Sequence, residues 1–140
     1  MKVLVLGCGS MGRRRVETAL GLGCDVAVHD PARDPEKLVI ELLPHTTYNA
    51  DFARQQEVVA FSVEDAAWAW KPDAVVIATP ARTHAELLQN AIFKTDAAIF
   101  VDKPLALSYD EVRAHGILTH RVLQVGYNWR SNPFVCAFRQ

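Results

Sequence analysis

What this chain lacks narrows its class before any motif is read. Cysteine is scarce and odd in number. Cys8, Cys24 and Cys136 share no metal-ligand spacing and cannot pair completely, so reduced thiols in a cytoplasmic setting are expected. An excess of charge of one sign is also missing. The 15 Lys and Arg nearly balance the 16 Asp and Glu, which leaves no electrostatic case for nucleic acid or a membrane surface as partner. No apolar run approaches the roughly 20 residues that span a bilayer. The first residues enter a β-like stretch at once, without the charged and apolar regions of a secretory leader. There is no internal repeat and no low-complexity tract. With half its residues hydrophobic and 22% charged, the chain has the balance of a globular domain, and 140 residues allow one core.

What is present begins at Val3-Leu4-Val5-Leu6, a β-branched apolar run that reads as a buried strand, followed by Gly7-Cys8-Gly9-Ser10-Met11-Gly12. The three glycines fit G-x-G-x-x-G. Gly7 allows a tight turn, Gly9 removes a side chain that would collide with a phosphate, and Gly12 lets the next helix pack closely. That helix, with Val16, Ala19, Leu20 and Gly23 on one face, would aim its free N–H groups at a pyrophosphate. Asp30 follows at the end of a second strand, Val26-Ala27-Val28-His29. In this context the glycines point to dinucleotide binding.

Further elements follow in order. Asp34-Pro35 reads as an N-cap and a first-turn proline, opening a helix to about Leu43 that Pro44 stops. Residues 45–57 carry no assignable pattern. Val58–Phe61 is a short strand, and Ser62 with Asp65 resembles a capping box for a helix through about Trp70. Trp68 and Trp70 cannot share a helix face, so one is expected in the core and the other is a candidate contact surface. Asp73–Ala78 reads as a strand buried on both faces, ended by Thr79-Pro80. Ala81, Ala85, Leu88 and Ile92 form a helical stripe, Ala97–Val101 a fifth strand, and Ser108-Tyr109-Asp110-Glu111 a second capping box for a helix to about Leu118. Val122–Gly126 is the sixth strand.

Alternating strands and helices predict an α/β fold, a right-handed, doubly wound parallel sheet. Ligands bind such sheets at the C-terminal ends of the strands. The glycine loop, Asp30, Thr79-Pro80, Asp102-Lys103 and Tyr127-Asn128 all fall at such ends. Asp30 suits the hydroxyls of an adenosine ribose and would repel a 2′-phosphate, which favours NAD over NADP; it also reads as a turn aspartate before Pro31. Arg33 and the run Arg13-Arg14-Arg15 keep NADP open, although a run of arginines is also an ordinary solvated face. Lys103, between Asp102 and Pro104, suits orientation of a substrate hydroxyl or proton transfer, and equally a structural role. His84 reads as an ordinary helix-start histidine.

Four motifs in order carry a resemblance: Gly-Cys-Gly-Ser-Met-Gly at 7–12, Ala-Thr-Pro-Ala-Arg-Thr-His at 78–84, Asp-Lys-Pro-Leu-Ala at 102–106 and Gly-Tyr-Asn-Trp-Arg-Ser-Asn-Pro at 126–133. The chain resembles the glucose–fructose oxidoreductase/inositol dehydrogenase (Gfo/Idh/MocA) family of nicotinamide-dependent sugar and polyol oxidoreductases. The wording of the first and last motifs is similar to members acting on nucleotide sugars or acidic sugars. The resemblance implies a Rossmann domain in which Lys103 is the catalytic lysine. It implies that Thr79, Pro80 and His84 line the nicotinamide half of the cofactor, and that Asn128 and Arg130 approach cofactor or substrate. Together with Gly7, Gly9, Ser10, Met11, Gly12, Asp30 and Asp102, these form the expected cofactor site. Asp102 departs from the family's usual glutamate by one methylene.

Family members also carry a second, mainly antiparallel domain that supplies an aspartate and a histidine to the reaction and most of the sugar pocket. No replacement for it occurs before Gln140. The expectation is therefore a dinucleotide-binding domain over 1–126 and the start of a crossover over 127–140. Such a truncated chain would bind NAD without turning over sugar alone, and would self-associate weakly through the apolar 134–138 stretch. A stand-alone NAD-sensing module and a partner-binding Rossmann remnant are the competing readings.

Overall fold

A computed structural model describes residues 1–42, 58–115 and 122–127. Two strands of five residues each illustrate why a sheet forms at the centre. In β1 (Lys2–Leu6), Val3 and Val5 turn to one face and Leu4 and Leu6 to the other, and all four are buried. β2 (Asp25–His29) repeats the pattern, with Val26 and Val28 on the first face and Ala27 on the second. Burial on both faces is what a parallel sheet with helices on each side requires.

The remaining described strands are β3 (Val58–Phe61), β4 (Ala74–Ile77), β5 (Ala98–Asp102) and β6 (Leu123–Gly126). The sheet order is β3-β2-β1-β4-β5-β6, and every neighbouring pair is parallel. The chain thus winds outward from β1 to β3, then returns to place β4 beside β1. This reversal opens a crevice beyond the C-terminal ends of β1 and β4. The first core layer holds α1 (Ser10–Gly21) and α2 (Pro35–Leu42) through Val16, Leu20 and Leu38. The second holds α3 (Glu64–Ala69) and α4 (His84–Lys94) through Ala67, Trp68, Leu88 and Ala91. A last described helix, α5 (Tyr109–Ala114), precedes β6.

Local chemistry explains most boundaries. Gly23, at φ +77°, carries the left-handed turn that releases α1 toward β2. Asp34 Oδ1 accepts from Lys37 N at 3.0 Å, the expected cap of α2. Ser108 Oγ accepts from Glu111 N at 3.1 Å, as a capping box should, while Glu111 Oε2 reaches one residue further back, to Leu107 N at 2.7 Å.

Several expectations need correction. Ser62 does not cap α3; Val63 holds the cap position with no side-chain bond. The acidic residues after it are engaged elsewhere, Glu64 accepting from Trp68 Nε1 at 2.9 Å and Asp65 pairing with Lys94. Trp68 is core, but Trp70 is no free contact surface. It packs partly into the second core layer with the Lys2 ammonium 5.0 Å from its ring centre. In β4 only Val75 and Ile77 are fully buried; Ala74 and Val76 are half-buried. A single 3₁₀ turn, Ala81–Thr83, precedes α4. The helix expected to reach Leu118 stops at Ala114. There His115 bonds Gln89 of α4 through both its carbonyl oxygen (3.1 Å) and Nδ1 (3.0 Å), and the chain leaves the helix. Among the described residues no helix is long and apolar enough to cross a membrane.

Candidate functional site

The turn after β1 is built by two close approaches and one deliberate gap. Gly7 sits at φ +86°, and a Cβ there would lie 2.7 Å from Thr79 Cγ2. The positive φ and the neighbouring β4 loop therefore both demand glycine. A Cβ on Gly12 would lie 1.9 Å from the Gly7 carbonyl oxygen, so α1 packs on the backbone of the turn itself. Gly9 differs: a Cβ there would meet nothing within 4 Å. The missing side chain leaves open space directly at the N-terminus of α1. That terminus has no side-chain cap and no acidic residue in its first turn, so α1 itself carries nothing that compensates its positive end.

Two cavities flank this loop. The first, of about 350 Å³, is lined by Gly9, Ser10, Met11, Thr79, Pro80, His84, Asp102 and Lys103, together with Arg15, Ala78 and Gly126. The second, of about 400 Å³, lies toward the end of β2 and includes Gly7, Asp30, Thr79, Pro80, Arg82 and Glu86. Residues from five strand ends, those of β1, β2, β4, β5 and β6, are thus gathered at the crevice. Gly12 lies buried beneath the turn. Asn128 and Arg130 lie outside the described residues, as does all of the 127–140 stretch except Tyr127.

Asp30 combines its two expected roles. Its Oδ1 accepts from Ala32 N at 3.0 Å, an Asx turn, and its Oδ2 accepts from Cys8 N at 2.8 Å, tying the glycine loop to β2. Each oxygen retains a lone pair, so the carboxylate can still receive hydroxyls. Burial is the main reason that the Cys8 thiol beneath it is pushed up to about 12, with the Asp30 charge adding to the effect. Arg13 and Arg33 both pair with Glu41, while Arg14 is exposed.

His84 is 1% exposed and is no loosely held helix-start residue. Its Nε2 lies 2.8 Å from the Thr79 carbonyl oxygen and its Nδ1 lies 2.6 Å from that of Pro104. The ring therefore staples the loop after β4 to the loop after β5. Both nitrogens are occupied by backbone, which leaves no free ring nitrogen for a ligand. Thr83 Oγ1 adds bonds of 2.8 Å to Thr79 Oγ1 and 2.9 Å to the Pro80 carbonyl oxygen. Lys103 itself is exposed at the cavity.

Asp102 is 8% exposed and holds neither Lys103 nor open solvent. Arg15 Nη2 donates to its Oδ1 at 2.5 Å, and the Arg15 guanidinium stacks 4.7 Å from the Phe100 ring centre. The sequence reading, a solvated face for at least two of the three arginines and a cofactor phosphate within reach of one, missed the pairing of Arg15 with Asp102. The available signal was its position three residues after Gly12, one helical turn along the face that meets the sheet.

Residues 1–126 match the family model described as the oxidoreductase family with an NAD-binding Rossmann fold. The chain is similar to an inositol 2-dehydrogenase from Rhizobium meliloti, 41% identical over 71 residues, which take in 49% of this chain and 21% of that protein. Among solved structures it is similar to UDP-N-acetylglucosamine 3-dehydrogenase GnnA from Acidithiobacillus ferrooxidans, at 26% identity and a TM-score of 0.75. That likeness covers 100% of this chain and 41% of the other. It is also similar to GenD2 from gentamicin A biosynthesis, solved in complex with NAD, at 28% identity and a TM-score of 0.66. There it covers 99% of this chain and 38% of the other. The chain therefore spans about two fifths of these solved proteins.

Proposed function

The chain belongs to the Gfo/Idh/MocA oxidoreductase family, whose NAD-binding Rossmann domain its residues 1–126 match, and on that premise we propose that it is the cofactor-binding part of an NAD-dependent dehydrogenase of sugars or polyols, nucleotide sugars included. The observation that carries this reading is the selective gap at Gly9. Gly7 and Gly12 are filled to contact, Gly9 is empty, and the gap adjoins an uncapped helix N-terminus at the switch point of the sheet. A pyrophosphate fits that combination of space and dipole. The adenosine half then falls toward Asp30 and the nicotinamide half toward Asp102 and Lys103.

Bound NAD supplies the hydride acceptor. The chain's own residues supply position. Asp30 receives the ribose hydroxyls through the lone pairs its backbone donors leave free. Discrimination against NADP follows from two features of this site. A 2′-phosphate would face the Asp30 carboxylate, and the guanidiniums of Arg13 and Arg33 are both committed to Glu41. Lys103 Nζ would orient the reacting hydroxyl and hold its proton as the carbon is oxidised. The walls of a sugar site would then come from outside these 140 residues.

Titration calorimetry with both cofactors tests the reading. NAD should bind at least tenfold more tightly than NADP, a difference of about 1.4 kcal/mol. Tighter binding of NADP would overturn the assignment of Asp30, and binding of neither would overturn the cofactor site.

A further inference from the structure

Lys103 is exposed, so its usefulness depends on what holds the chain around it and on whether a neighbour captures its charge. The backbone after it is fixed by His84, through the Pro104 carbonyl oxygen at 2.6 Å. The residue before it, Asp102, is a buried carboxylate directly adjacent in sequence to the lysine ammonium. One oxygen of Asp102 is held by Arg15 at 2.5 Å; the other, Oδ2, is buried with no hydrogen-bond partner among the described residues, and so is Arg15 Nε. The side chains of the pair are 25% and 11% exposed. Neither charge has another described partner of opposite sign. A buried carboxylate that loses its cation is costly and will recruit whatever cation it can reach.

Resting on the cofactor reading above, we infer that Arg15 is a positioning residue for Lys103: it neutralises Asp102 and ties the end of β5 to α1, and thereby leaves the lysine free for the ligand. Three elements converge to hold the guanidinium in this task. It springs from the second turn of α1, the helix whose first turn borders Gly9. It lies on Phe100 of β5, 4.7 Å from the ring centre. Gly126 of β6 makes room for that ring, since a Cβ there would stand 2.7 Å from Phe100 Cζ and 3.3 Å from Asp102 Oδ1. The shorter acid at position 102 is matched by a cation long enough to reach it from the helix. Without Arg15, the ammonium of Lys103, which lines the same cavity as Asp102, would fold down onto the unpaired carboxylate, and the far end of the cofactor would lose a partner.

The test compares NAD with ADP, a fragment that ends at the pyrophosphate and does not reach Lys103. Arg15→Met should weaken NAD at least tenfold while ADP stays within threefold. Arg15→Met/Asp102→Asn should recover most of the lost NAD affinity, because no buried carboxylate remains to capture the lysine. Arg15→Lys retains a cation for Asp102 and should keep the NAD-to-ADP ratio within threefold of the unaltered protein; it also serves if Arg15→Met does not fold. Equal weakening of NAD and ADP, an unchanged ratio in Arg15→Met, no recovery in the double variant or a tenfold fall in Arg15→Lys would each overturn the inference. If the unaltered protein binds neither ligand, the cofactor reading itself fails and this inference falls with it.

Discussion

Two alanine substitutions within one six-residue loop should fail in opposite ways. In Gly12→Ala the new methyl starts 1.9 Å from the Gly7 carbonyl oxygen and reaches ordinary contact, 3.4 Å or more, only if α1 moves by about 1.5 Å. The obstacle is backbone, with no rotamer to turn aside. Overpacking of this kind costs about 1–3 kcal/mol, and alanine returns roughly 1 kcal/mol of helix propensity. A clash with backbone belongs in the upper half of that range, about 2–3 kcal/mol, so the net expectation is a loss of about 1–2 kcal/mol. For a domain of this size that lowers Tm by roughly 3–10 °C. In Gly9→Ala the backbone is at φ −67° and ψ −167°, open to any residue, and the methyl meets nothing within 4 Å. Stability should fall by no more than about 0.5–1 kcal/mol, the difference between glycine and alanine at an N-cap. The methyl instead enters the space assigned to the pyrophosphate, and NAD affinity should drop at least tenfold, about 1.4 kcal/mol. Thermal unfolding followed by circular dichroism reads the first effect and calorimetric titration the second. Wild-type affinity in Gly9→Ala would refute the placement of the pyrophosphate, and wild-type stability in Gly12→Ala would refute the steric argument.

Two further outcomes are expected. Lys103→Ala, assayed in an enzyme that carries the substrate-binding region as well, should lower kcat by about 10²-fold or more, as loss of a positioned proton-transfer group does; Tm should barely move because the side chain is exposed, and normal turnover would remove Lys103 from the mechanism. Burial pushes the Cys8 thiol up from 9.0 to about 12, so between those values the folded state keeps a proton that the unfolded state releases. Stability should therefore fall as pH rises above about 9, by up to about 1.4 kcal/mol per pH unit. Denaturant titrations across that range should show a shallower fall in Cys8→Ala, and an identical slope in both proteins would contradict the assignment.

The sequence by itself determined the architecture and which residues lie at the C-terminal ends of the strands. The unbroken apolar run Val3-Leu4-Val5-Leu6, the punctuation at Asp34-Pro35 and Ser108–Glu111, and the alternation of strand with helix are local signals. Local signals suffice for a parallel sheet, because its connections admit essentially one handedness. The glycine spacing likewise announced its turn, since Gly7 and Gly12 answer close backbone approaches that no larger residue meets, while Gly9 leaves open space. Tertiary structure alone decided which polar groups are free and which are spent. Nothing in Arg13-Arg14-Arg15 reveals that the first pairs with Glu41, the second is exposed and the third reaches Asp102, 87 residues away. Nothing in the 78–84 motif reveals that His84 gives both ring nitrogens to backbone carbonyls. Ser62 and Asp65 have the spacing of a cap, yet Lys94, on another helix, takes the aspartate. Periodicity reports which face of an element is apolar, whereas a charged side chain several bonds long finds its partner only after distant strands and helices have been brought side by side.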